Sequence, residues 1–276
     1  MNTVFRHLFA ILVLFAVTAA MPVYAQNQTS RSDEWEIRLM PYVWMPSLDA
    51  DKTVNGLEGS VDVSFGDILD DYLDFALMGR VEAWKGRWGL TFDGVYFDLG
   101  ADDSFEGTSG GISFDLDADA RLGMADFALS YRLFAQRFGK NCRQKLTFEP
   151  YGGLRYAYLK QKVDLNVDIA GVGSIGENLG KSEDWIEPFV GGRILWELND
   201  KMAINVRGNV GGFGIGSASR LTWNFATGVD YKLSKKVSLD AGYRILDIDY
   251  SRGSGSDKFA ADAKLEGPIL GMTILF

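Results

Sequence analysis

The stretch LTWNFATGVDYKLSKKVSLDAGYRI, residues 221–245, decides the fold. Leu221, Trp223, Phe225, Thr227, Val229, Tyr231 and Leu233 fall on one side of an extended chain. Thr222, Asn224, Ala226, Gly228, Asp230 and Lys232 fall on the other. Successive side chains point to opposite faces of a strand, so a run this long at period two reads as a strand with one apolar and one polar face. Ser234-Lys235-Lys236 then makes a tight turn, and Val237, Leu239, Ala241, Tyr243 and Ile245 resume the apolar face. The pattern recurs at Trp88, Leu90, Phe92, Gly94 and Tyr96, and at Trp35, Ile37, Leu39, Val43 and Met45 opposite Glu36, Arg38, Met40 and Tyr42. In a water-soluble sandwich the apolar face turns to a core. In a transmembrane barrel it turns to lipid, and the polar face lines the interior.

Working outward, four features select the barrel. Residues 85–87, 199–201 and 234–236 are tight turns, whereas 46–72, 100–112, 167–184 and 251–259 are long and polar. Short periplasmic turns and long outer loops are the transmembrane arrangement. Trp35, Trp84, Trp88, Trp185, Trp196 and Tyr231 crowd the strand ends, where interfacial girdles form. Gly89, Gly153, Gly191 and Gly228 occupy inward positions and suit a narrow lumen. The chain stops on Leu270, Met272, Ile274 and Phe276, all on one face. The expected class is therefore all-β: an antiparallel up-and-down transmembrane barrel of about ten strands, with eight or twelve reached by merging or splitting. The strands fall near 35–45, 73–84, 88–99, 112–133, 146–165, 185–198, 202–213, 220–233, 237–250 and 260–276. Residues 53–65 offer an extra outer hairpin turning at Asn55-Gly56.

Ahead of the strands, Arg6 supplies a positive n-region, residues 8–20 an apolar core too short to span a bilayer, Pro22 a breaker, and Val23-Tyr24-Ala25 a small-x-small cleavage site. Residues 1–25 are thus expected to be a signal peptide and 26–276 an outer-membrane barrel. Gln26, not a cysteine, follows the cut, which disfavours a lipoprotein.

The leader, the alternating strands and the terminal Ile274-Leu275-Phe276 resemble bacterial outer-membrane β-barrel proteins. That resemblance implies a Gram-negative outer membrane, contact with its lipids and lipopolysaccharide, and recognition of Phe276 by the barrel-assembly machinery. The stretch from Leu73 to Leu99, with EAWKGRWGL at 82–90, is similar to a group of small barrels to which no activity is attached.

Histidine decides most of the chemistry. His7 is the only one, so the mature chain carries no imidazole. Enzymes among such barrels (omptin proteases, the phospholipase, the lipid A palmitoyltransferase and deacylase) use a histidine for acid–base work. Cys142 is the only cysteine, which excludes an intrachain disulfide and a multi-cysteine metal site. No nucleophile elbow, phosphate loop or zinc spacing occurs, so no catalytic residue, metal or cofactor is assigned. The net charge of −9 disfavours nucleic acid.

The inward faces carry both signs. Glu36, Arg38, Arg80, Glu82, Asp93, Arg121, Glu149, Arg155, Glu187, Arg193, Arg207, Asp230 and Arg244 are read as lumen charges, along with Lys232 and Asp240. In a narrow barrel they must find partners, since an unpaired buried charge is costly. EPYGGLR at 149–155 matches EPFVGGR at 187–193, from duplication or from convergence on lumen-facing Glu and Arg. Asp115, Asp117 and Asp119 form one file along a strand; Asp126 completes a calcium-loop spacing, but Ala120 stands where that loop wants glycine. Ile68, Leu69, Tyr72 and Leu73 break period two and suggest a helical turn, serving as a plug or lid at the mouth or resting on its rim. Acidic residues such as Asp49, Glu58, Asp70, Asp102 and Glu106 mark the outer loops, and Lys85, Arg137, Lys201 and Lys235 the periplasmic turns. The expected function is non-enzymatic: a structural role in the envelope, or a narrow small-solute channel with a charge-lined lumen. A surface binding module using the acidic loops and a carboxylate-dependent hydrolase are the rivals.

Overall fold

Strand alternation closes on itself in the computed structural model, which describes residues 34–54, 57–68, 72–106, 112–139, 142–169, 173–216, 218–252 and 259–276. The expected signal peptide and Leu69 lie outside these residues. The strands are β1 (Trp35–Trp44), β2 (Ser47–Val54), β3 (Leu57–Val63), β4 (Leu73–Lys85), β5 (Trp88–Glu106), β6 (Ile112–Tyr131) and β7 (Phe134–Phe138). They continue with β8 (Gln144–Ile169), β9 (Gly173–Glu197), β10 (Met202–Gly212), β11 (Leu221–Lys232), β12 (Val237–Arg252) and β13 (Phe259–Leu275). Ten of them form the wall in the order β1-β4-β5-β6-β8-β9-β10-β11-β12-β13, and β13 pairs back onto β1 antiparallel, closing the barrel. Closure leaves no edge, the condition for crossing a bilayer with strands. Outside the wall, β7 pairs with β8 at the turn end, and the hairpin β2–β3 extends from β13 at the opposite end.

The outer surface is apolar along the middle of the wall: Leu77, Leu90, Phe127, Leu154, Ile186 and Leu270 are all exposed. Trp35, Trp88, Trp196 and Tyr231 lie outward at the turn end. Trp84 and Trp185 do not join them. At 2% and 3% exposure they sit inside the barrel, two residues from Glu82 and Glu187 and so on the same face.

The long outer loops are mostly strand. β5 runs to Glu106, β8 to Ile169 and β12 to Arg252, leaving 107–111, 170–172 and 253–258 as connections outside the described residues. The outer hairpin begins earlier than 53, at Ser47, because Ser47–Val54 finds β13 as a pairing partner. The helical turn is short, Phe65–Asp67, with Ser64 Oγ accepting from the Asp67 N–H at 3.3 Å. Asp115, Asp117 and Asp119 lie within β6, a strand and not a calcium loop.

The interior is not polar throughout. Toward the outer end, inward positions of eight strands carry Tyr42, Trp44, Met78, Phe97, Trp185, Leu246, Tyr250 and their neighbours, one buried apolar cluster. Trp185 stacks on Tyr250 at 4.1 Å across the bore. In this zone both faces are apolar, as in Val95-Tyr96-Phe97. Below it the wall bends tightly enough to need glycine: a Cβ added at inward Gly228 would lie 2.7 Å from the Ala241 carbonyl oxygen of the adjacent strand.

Trp44 is 1% exposed at the centre of the cluster. Trp44→Ala is expected to cost about 3–5 kcal/mol through the cavity it leaves. Urea unfolding of the detergent-refolded barrel measures this, and a loss under about 1 kcal/mol would mean the cluster is not a packed core.

Candidate functional site: the ion-pair network of the lumen

Between the aromatic cluster and the short turns, inward positions carry charge, and the register brings opposite signs together in three centres. The first gathers on Arg193 of β9. Its Nη1 donates to Glu82 of β4 at 2.6 Å, across the lumen, and its Nε donates to Glu149 of β8 at 2.7 Å. Glu82 also accepts from Trp84 Nε1 at 3.0 Å, and Glu149 from Arg132 Nε at 3.1 Å. Arg38 lies 3.9 Å from Glu82 and donates through Nε to Glu36 at 2.8 Å, at the mouth on the short-turn side. The guanidinium of Arg132 sits over the Trp84 ring at 4.4 Å.

Arg155 of β8 anchors the second centre and is 0% exposed. It grips Asp126 with two parallel bonds, Nε to Oδ1 at 2.7 Å and Nη2 to Oδ2 at 2.8 Å. Nη2 also donates to Asn209 Oδ1 at 2.9 Å, and Nη1 to Glu187 at 3.3 Å. The fork geometry of arginine suits this, because its planar set of donors reaches three acceptor side chains at once. The second Glu187 oxygen accepts from Trp185 Nε1 at 2.9 Å, from Thr222 at 3.3 Å and from Ser219 Oγ. Ser219 arrives from the β10–β11 connection, which folds inward after Gly212. That glycine has φ +89°, and a Cβ there would meet the Ser219 carbonyl oxygen at 2.6 Å. Both constraints demand glycine.

The third centre joins Arg80, Asp93, Tyr42 and Arg244. Arg80 Nε donates to Asp93 at 2.8 Å, Tyr42 OH donates to its other oxygen at 2.6 Å, and Arg244 Nη1 donates to the tyrosine oxygen at 3.1 Å. Arg207 approaches Asp93 at 3.7 Å. Asp230 and Asp240 are cross-strand partners on β11 and β12, and Thr273 donates to Asp240 at 2.7 Å. With Arg80, Arg207 and Asn205 they border a cavity of about 80 Å³.

The matched heptapeptides explain much of this register. Glu149 is the Cα partner of Arg193, and Arg155 of Glu187, so E-P-x4-R on each strand meets its antiparallel copy and yields two reciprocal ion pairs. Six residues separate Glu from Arg, an even number, which keeps both inside.

Arg121 is a correction. It lies five residues from inward-facing Asp126, hence on the opposite face, and stands on the outer wall at 41% exposure, paired with Asp98 at 2.8 Å. Along β6 the charge changes sides: Asp115, Asp117, Asp119 and Arg121 share the face opposite Asp126, while Leu122 and Met124 share its face, so charge alone does not mark the lumen. Tyr42, Asp126, Asn209 and Ser219 join the network although sequence reading does not single them out for it. Parity with Arg155's partners finds Asp126; Ser219 has no strand signal at all. Of the mouth segment, Ile68 is buried over Trp44, Ala76 and Phe97, Leu73 packs on the same cluster, and Tyr72 is half-buried. Phe276 is exposed at the turn end, its N–H donating to Ile37 O at 2.9 Å. Cys142 is exposed. Among the described residues no group of three or more His, Cys, Asp or Glu side chains could hold a metal.

A closed antiparallel wall, an apolar exterior and a filled polar-and-aromatic bore are the marks of one membrane architecture. The fold is that of bacterial outer-membrane β-barrels. No protein-family model matches the sequence, and no curated protein matches it significantly. Among solved structures, it is similar to the outer-membrane protease OmpT of Escherichia coli at 6% identity, with 91% of this chain and 100% of that one covered and a TM-score of 0.49. It is also similar to Ail, the attachment invasion locus protein of Yersinia pestis, at 11% identity, 88% and 99% coverage and a TM-score of 0.31. Neisserial surface protein A follows at 14% identity, 88% and 97% coverage and a TM-score of 0.26.

Arg155→Leu leaves Asp126 and Glu187 facing each other without their cation. It is expected to lower the unfolding free energy by about 3–5 kcal/mol, and adding Glu187→Leu should return part of that loss. Additive losses in the double mutant would show that the two groups are not coupled.

Proposed function

We propose that this protein is a sealed, non-enzymatic barrel with a structural role in the outer membrane. The observation that carries this reading is the state of Arg155: wholly buried, with all three guanidinium nitrogens engaged by Asp126, Glu187 and Asn209. A charge lining an open pore would keep water; this one has exchanged water for carboxylates. Cross-lumen bonds such as Arg193 to Glu82 tie opposite walls together, and the aromatic cluster stands in series with them. Two cavities bordered by network residues measure about 80 and 20 Å³, room for a few waters. The non-enzymatic part of the reading is supported by a sequence whose one histidine is His7, in the leader.

A second reading is favoured by wall height. β8 and β9 have 26 and 25 residues, whereas β10 and β11 have 11 and 12. About ten residues cross a bilayer. The surplus on β8 and β9 projects outward as a platform suited to a surface partner.

Planar-bilayer recording of the refolded mature chain tests the first reading. The wild type is expected to be silent, and current steps are expected only when both barriers are opened, with Glu82, Glu149 and Arg193 replaced by Ser and Trp44 and Trp185 by Ala. Steps from the wild type would replace the sealed barrel by a narrow channel.

A further inference from the structure

Pairing on one side of β9 stops halfway along the strand. β8 matches β9 residue for residue from Glu197 to Gly173, whereas β10 covers it only from Glu197 to Phe189. Gly212, with its φ of +89°, turns the chain inward and ends β10 there. Beyond that point no strand takes the second edge of β9 among the described residues.

The direction of the amides follows from the turn. Leu198 N–H donates to Met202 O, toward β10. Backbone groups alternate sides along a strand, so the N–H and C=O of every even-numbered residue of β9 point to the β10 side. Pro188, which has no N–H to offer, stands where β10 gives out. From residue 174 to residue 186 this leaves a row of seven N–H and seven C=O groups facing no strand. The row is about 40 Å long.

Three features make this row a docking edge. It lies in water: Ile186 is the last apolar outward residue of β9, and Asp184, Ser182 and Gly180 above it are exposed and not hydrophobic. Closure is complete only where hydrocarbon demands it. No proline falls between 173 and 187, and the register with β8 runs through without a bulge, so two of the usual devices that blunt an edge are missing. At its foot, the β10–β11 connection leaves Phe213 and Ile215 exposed, an apolar shelf beside polar backbone. A glycan or a lipid has no row of donors and acceptors at the strand repeat; another polypeptide backbone has.

We propose that the upper edge of β9 captures an extended polypeptide segment of a surface partner by strand addition. The segment runs antiparallel to β9, in continuation of β10, with apolar side chains resting on Phe213 and Ile215. The inference rests on the reading of β8 and β9 as an outer platform and names what that platform takes.

The probe is a synthetic peptide with the sequence of residues 160–169, the stretch of β8 that already pairs with this part of β9 on its other edge. It is added to the refolded mature chain in detergent and followed by fluorescence anisotropy and amide hydrogen exchange. The peptide is expected to bind and to slow exchange of the even-numbered amides of 174–186 about tenfold or more. A copy methylated on every backbone nitrogen is expected to do neither. Gly180→Pro with Ser182→Pro removes two N–H groups of the row and none bonded to β8, and should weaken binding about tenfold. Leu239→Ala, on the wall at β12, should leave binding unchanged. Folding is checked by heat-modifiable mobility, and the methylated copy carries the test if the proline variant does not fold. Failure of the peptide to bind would overturn the proposal. Equal binding of the methylated copy, or protection confined to other residues of β8 and β9, would overturn strand addition and leave the platform standing. Slow exchange of the same amides in the chain alone would overturn both, since the edge would not be open.

Discussion

A guanidinium withdrawn from water into a narrow bore has to meet carboxylates, and that requirement constrains the rest of the structure. The reciprocal pairs on β8 and β9 show how. Glu149 with Arg193 and Arg155 with Glu187 are correct only in one register. A slip of a single residue by either strand would turn both of its charges into lipid, an arginine alone costing about 2–4 kcal/mol near the midplane. The longest pairing in the barrel is thus fixed electrostatically as well as by its hydrogen bonds. Both centres then reach beyond the pair, Arg155 to Asp126 on adjoining β6 and Asn209 on adjoining β10, and Arg193 across the lumen to Glu82 on β4, so one register also constrains a strand that is not its neighbour.

The aromatic residues complete these centres. Trp84 and Trp185 donate to the carboxylates that hold Arg193 and Arg155, and each lies two residues from its acceptor. A carboxylate shared between an arginine and an indole has more of its lone pairs satisfied than a bare ion pair, the condition under which burial of charge is tolerated. Trp185 then stacks on Tyr250, which joins the network to the apolar cluster above it without a gap.

Strand number, closure and most inward charges were legible because period two is a strong signal wherever one face is apolar and the other is not. The reading fails where that contrast vanishes. At Arg121 the charged face of β6 is the outward one, and the phase has to be carried from Asp126 along the strand. At Val95-Tyr96-Phe97 both faces are apolar, which conceals the inner cluster. Trp84 and Trp185 look like girdle residues by composition, yet their parity with Glu82 and Glu187 already places them inside. The extension of β5, β8, β9 and β12 into polar sequence is a tertiary effect: pairing with an equally long neighbour stabilises strand where propensity is weak. Ser219 was illegible for a different reason, since only the inward fold after Gly212 brings it to Glu187.

The two interior zones depend on each other. An ion-pair plug open to water on both sides would hydrate, and its bonds would weaken to surface values of about 1 kcal/mol or less. The layer from Trp44 to Tyr250, with Ile68 seated above it, keeps outer water from the arginines, so the pairs act in a medium of low dielectric. The pairs in turn fix the strands whose inward aromatics form that layer. Tyr42 belongs to both, its ring in the apolar cluster and its hydroxyl between Asp93 and Arg244. Loosening either zone exposes the other, which is why the bore behaves as one core of mixed chemistry.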